Sequence, residues 1–162
     1  MIRTSIYFIL IFGFLSCRYI GPADGIFTKN VEIKPETKAL EGVWEVDQQS
    51  YDLVREQYSL NGKKIKLLVF PNGTFNIENL PDFINDGFGK SINNRFHNVS
   101  GNWNLEQVEN HWKLAMNYNA SELYSQGCWT LYDLFMQKND LMIWVWIGDP
   151  DSGNRLLFKK EK

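Results

Sequence analysis

Lys63-Lys-Ile-Lys-Leu-Leu-Val-Phe-Pro-Asn-Gly-Thr-Phe-Asn-Ile-Glu78 reads as a β-hairpin. Two runs rich in apolar residues, Lys63 to Phe70 and Gly73 to Glu78, flank Pro71-Asn72-Gly73. Proline presets the φ of a turn, and Asn-Gly accepts the positive φ values that a tight reversal needs. The same grammar continues in both directions. Asn98 to Glu106 and His111 to Asn117 pair across Gln107–Asn110. Trp129 to Gln137 and Leu141 to Ile147 pair across Lys138-Asn139-Asp140. Glu41 to Asp47 is a first strand, and Arg155 to Lys160 a last one after the loop from Gly148 to Asn154. Between the first two strands, Tyr51, Val54 and Tyr58 share one face of a short helix over Gln49 to Tyr58. Asn79 to Phe96 carries Pro81, Gly87 and Gly89 without a clear period, and is expected to arch over one end.

Eight sequential antiparallel strands joined mostly by tight turns predict an all-β fold, an eight-stranded up-and-down barrel. Closure also removes exposed strand edges. A β-sandwich of the same strands is the alternative. Leu141-Met-Ile-Trp-Val-Trp-Ile147 does not alternate, so both its faces need cover. The tether, the helix or a partner is expected against the wall there.

The amino terminus sets the location. Arg3 is followed by an apolar run from Ile6 to Leu15, then Ser16 and Cys17. A bilayer span needs about 20 apolar residues, so the run is too short to cross. A basic start, a short apolar stretch and a small residue form a secretory signal. Phe14-Leu15-Ser16-Cys17 resembles a bacterial lipoprotein signal. The resemblance implies cleavage after residue 16 and acyl chains on Cys17 that hold the protein on the cell envelope. Arg18 in place of Asp favours the outer membrane. Residues 17–39, with Gly21, Pro22, Gly25 and Pro35, read as a flexible tether, and 40–162 as one domain.

Gly42-Val43-Trp44 opens the first strand and Arg155 lies on the last. This is similar to the lipocalins, as a divergent bacterial lipocalin-like domain. The resemblance implies that the Arg155 guanidinium stacks on the Trp44 indole and closes the barrel floor. Gly101-Asn102-Trp103 and Gly127-Cys128-Trp129 repeat the pattern, more copies than chance gives for 12 Gly and 6 Trp.

Composition excludes several functions. A net charge of −2 gives no basic field for nucleic acid. With Cys17 acylated, Cys128 is alone, so neither an internal disulfide nor a cysteine zinc site is expected. His97 and His111 lie near opposite ends of one strand and do not share a metal. Asp149-Pro-Asp-Ser-Gly-Asn154 lacks the EF-hand glycine and glutamate positions and reads as a turn. The three Asn-X-Ser/Thr sequons, at Asn72, Asn98 and Asn119, read as accidental in a bacterial chain. Neither a metal nor a cofactor is expected, and no catalytic motif is present. The weakest reading, an enzyme, rests on Asp82, Asp86 or Tyr132. Two readings lead it. In one, the barrel holds a small apolar ligand, with Trp103, Trp112, Trp129, Phe83 and Phe88 as lining and lid. In the other, the core is filled and a protein partner, including an enzyme or toxin to be inhibited, binds an outer apolar patch around Trp144 and Trp146.

Overall fold

The computed structural model describes residues 28–56, 58–85, 95–149 and 153–162. Eight of its nine strands close an antiparallel barrel: β2 (Gly42–Val46), β3 (Lys66–Val69), β4 (Thr74–Pro81), β5 (Phe96–Val108), β6 (His111–Tyr118), β7 (Cys128–Gln137), β8 (Asp140–Trp146) and β9 (Arg155–Lys160). Each pairs with its sequence neighbour, and β9 returns to β2. The expected barrel is thus the fold, and the sandwich is not.

Two features differ from the sequence reading. Residues 28–39 belong to the folded body and not to a tether. Thr28–Asn30 is a short strand, β1, which pairs with Phe135 to Gln137 on β7. Val31 continues the path by accepting from Trp112 N and donating to Leu134 O. The chain then crosses the lower end through helix α1 (Thr37–Leu40), where Leu40 is fully buried. The second difference is the arch. β4 runs on to Pro81, and a register shift between Ile77 and Leu80 hides the alternation there. Asn79 adopts positive φ at the bulge, and its side chain donates to Lys64 O at 2.8 Å.

Helix α2 (Gln48–Arg55) covers the upper end. Asp47 caps it by accepting from Ser50 N at 3.0 Å. Ser50 Oγ accepts from Leu157 N at 2.8 Å and donates to Asp47, which ties the helix to β9. Val54 enters the core from this helix.

Trp44, Phe75, Met116, Tyr132 and Phe158 point into the barrel interior and are fully buried. Tyr118 and Tyr132 share an O–H···O bond of 2.6 Å in the middle. Burial keeps both phenols neutral, well above the usual tyrosine range, and does the same to Tyr124. Tyr51, on α2, is pushed up to about 12, chiefly by burial and further by Glu45, against the Ile65 N–H that it accepts. A folded pKa above the unfolded value of about 10 means these phenols stabilise fully below pH 10. That stability is lost as pH rises through the folded values. Absorbance of tyrosinate against pH is expected to show Tyr51, Tyr118, Tyr124 and Tyr132 lagging, with their ionisation coinciding with loss of β circular dichroism. Complete ionisation of these four tyrosines near pH 10 in a folded protein would contradict this packing.

Candidate functional site

The outer face of β7, β8 and β9 carries a second apolar cluster, separate from the core. Alternation along β8 sends Ile143, Val145 and Ile147 inward and Met142, Trp144 and Trp146 outward. The register then sets outward side chains opposite one another. Trp144 faces Asp133 on β7 and Leu157 on β9, Met142 faces Phe135, and Trp146 faces Arg155. Cross-strand aromatic pairs of this kind add to sheet stability. Phe135 and Trp144 have ring centroids 3.8 Å apart, and Trp144 and Trp146 5.3 Å. The Arg155 guanidinium sits 4.9 Å from the Trp144 ring centre.

Polar groups frame this cluster. Trp146 Nε1 donates to Asp133 Oδ2 at 3.0 Å, and Lys113 Nζ is 2.7 Å from the other carboxylate oxygen. Trp144 is 6% exposed, and its Nε1 has no acceptor among the described residues. An orphaned buried N–H costs about 1–3 kcal/mol. Phe135, Trp146 and Leu131 are partly open, and Trp129 is 53% exposed at the upper edge of the same wall.

The ligand-lining residues expected from sequence do not converge. Trp129 points outward, which corrects its placement in the interior. Cys128 and Thr130 take the inward positions beside it, and β7 is apolar on both faces, so alternation alone left the direction open. Trp103 is inward but packed into the core, its Nε1 donating to Phe70 O at 3.1 Å beside the β3–β4 turn. Trp112 packs at the lower end under Lys34, whose Nζ lies 5.0 Å from the ring centre. The Phe83 side chain, and Phe88, Asp86 and Cys17 entirely, lie outside the described residues.

The Trp44–Arg155 pair is also corrected. Trp44 registers with Lys160, at the opposite end of β9 from Arg155. Lys160 Nζ sits 5.6 Å from the Trp44 ring centre and donates to Ala39 O. Lysine therefore takes the cation's place on the floor, while Arg155 serves the outer wall.

Other chemistry-bearing residues have structural partners. Asp82 is buried and accepts from the Tyr58 hydroxyl and from Arg95 N. Tyr132 bonds Tyr118. His97 faces Glu122 at 3.8 Å and His111 meets Asn30. No group of three metal-ligating side chains occurs among the described residues. Burial raises the Cys128 thiol pKa, which slows its reactions. An open cleft of about 560 Å³ lies on the upper rim, lined by Ser59, Lys63, Arg95, Phe96, His97 and Glu122. Its cations are already engaged, Arg95 by Glu122 at 3.0 Å and Lys63 over the Phe96 ring.

No family model, curated protein or solved structure matches this chain.

Proposed function

We propose that this protein is a lipid-anchored lipoprotein of the bacterial cell envelope, on the outer membrane, whose filled barrel works through its outer wall by binding a protein partner. The observation that carries the reading is the division of its aromatic residues. Trp44, Phe75, Tyr132 and Phe158 lie in the interior and are fully buried. A separate set built around Trp144 and Trp146 occupies the outside, where a barrel with a polar exterior would place solvated side chains. Aromatic residues and Arg in a dehydrated patch are the composition of binding hot spots. The role has no catalytic step and needs no cofactor.

The wall defines the partner's chemistry. It offers apolar contact through Trp129, Leu131, Phe135 and Trp146, around the buried Trp144 ring. Photoreactive residues placed at Trp129 or Leu131 in the producing cell are expected to give a discrete protein adduct. The same probe at Asn76 or Asn104, exposed positions on β4 and β5, is expected to give none. Trp146→Ser should weaken the adduct about tenfold or more, as truncation of a hot-spot tryptophan does. Equal adducts from both walls, or none from either, would overturn the reading.

A further inference from the structure

We infer that the lower end of the barrel rests on the bilayer surface, with Ile33 entering the boundary between headgroups and acyl chains. This rests on the proposed acyl anchor at Cys17 and adds the face that the anchor turns toward the membrane.

The first observation is where the chain enters the fold. Thr28 registers with Gln137, the last residue of β7, so the described chain begins at the lower rim. Ten residues, and so eleven Cα-to-Cα steps, separate it from Cys17. Fully extended, they reach about 40 Å at most. An anchor at Cys17 therefore holds this rim near the lipid at high effective concentration, where a weak contact suffices.

The second observation is what this end displays. Ile33 is 86% exposed, whereas the flanking Val31 is buried in the fold. Ile33 stands over a groove of about 830 Å³ whose apolar lining includes Val31, Pro35, Ala39, Met136 and Leu141. A second groove of about 640 Å³ shares Ala39, Asn139 and Leu141 with it and runs toward Trp44 and Met142. The two grooves thus meet at Ala39 and Leu141, the apolar lining lying mainly in the first and Asp140, Lys159, Lys160 and Glu161 lining the second. Lys29, Lys34, Lys38 and Lys162 are exposed around it, with Glu32 and Glu36 among them. The mixed charge makes apolar insertion, not attraction to anionic lipid, the source of the contact.

The test uses the acylated protein extracted from membranes and reconstituted into phosphatidylethanolamine–phosphatidylglycerol vesicles. Cys128→Ser leaves Glu36→Cys as the labelling site for a polarity-sensitive fluorophore. Ser125→Cys in the 119–127 loop labels the upper end. The expected result is a blue-shifted label at 36, strongly quenched by spin-labelled lipid, with the label at 125 unaffected. Adding Ile33→Asp should abolish the quenching at 36 while circular dichroism stays unchanged, because Ile33 contributes nothing to the core. Equal, aqueous emission from both labels on an acylated, vesicle-bound protein would overturn this inference alone. An intact mass without acyl chains, with the protein absent from the membrane fraction, would overturn the anchor and this inference together.

Discussion

Gly101→Ala is expected to destabilise the protein by about 3 kcal/mol or more, the largest loss among the glycine substitutions. A Cβ at this position would lie 1.9 Å from Asn117 O, 2.8 Å from Asn117 C and 2.8 Å from Phe75 Cε1. Two of those three atoms are backbone in the β5–β6 ladder, where Gly101 registers with Tyr118 and Asn102 with Asn117. The third belongs to a fully buried ring. Relief therefore requires opening the ladder or displacing the core. Overpacking a core costs about 1–3 kcal/mol and occasionally more, where side chains can shift. Here the neighbour is main chain, so the cost belongs at or above the top of that range, against a total stability of about 5–15 kcal/mol for a domain. Gly127→Ala should be second in rank, with a Cβ 2.7 Å from Tyr118 O at φ +77°. Gly62→Ala shares that φ but meets nothing within 4 Å, and should cost about 1 kcal/mol. Urea midpoints for the three variants are expected in that order. A Gly101→Ala protein within about 0.5 kcal/mol of the parent, the range of neutral surface changes, would contradict the register of β5 on β6.

Trp44→Ala should cost about 3–5 kcal/mol, the range for emptying a large aromatic site in a core. The indole is fully buried and its Nε1 donates to Leu40 O at 2.7 Å, so truncation also orphans a buried carbonyl. Trp44→Phe keeps much of the volume and should cost about 1–3 kcal/mol, the worth of the lost bond at a buried acceptor. The pairing of the cations can be read in the same experiment. Trp44 and Lys160 touch, so a double-mutant cycle between them should show coupling. Trp44 and Arg155 lie at opposite ends of β9, and their effects should add. Coupling in the second cycle and additivity in the first would restore the pairing that the lipocalin resemblance implies.

The barrel was legible because its hairpins announce themselves. Pro71-Asn72-Gly73 and Lys138-Asn139-Asp140 are turn signals between runs of strand-forming residues, and both sit at observed reversals. The mixed apolar character of Leu141 to Ile147 also read correctly as a strand covered on both faces. Three things were not legible, each for a physical reason. β1 is three residues long and held by main-chain bonds to β7, so it leaves no side-chain pattern. The bulge before Leu80 shifts the inward phase, so β4 seemed to end at Glu78. The direction of Trp129 depends on parity within a strand that is apolar on both sides. Gly127 stands two residues before a Trp, as Gly42 and Gly101 do, yet Trp44 and Trp103 face the core while Trp129 faces out. The Gly-x-Trp repeat is thus not one device used three times. The outer cluster was partly foreseen from Trp144 and Trp146, but its partners Phe135, Arg155 and Leu157 emerge only from the cross-strand register.

Native mass spectrometry of the acylated protein, extracted from membranes in mild detergent, separates a barrel filled by its own side chains from one that carries a ligand. The expected spectrum shows the mass of the chain from Cys17 with its acyl chains and no small molecule bound in fixed proportion. A stoichiometric apolar molecule that travels with the folded protein and leaves on unfolding would contradict the filled barrel, and would return Trp103 and Trp112 to the lining of a binding site.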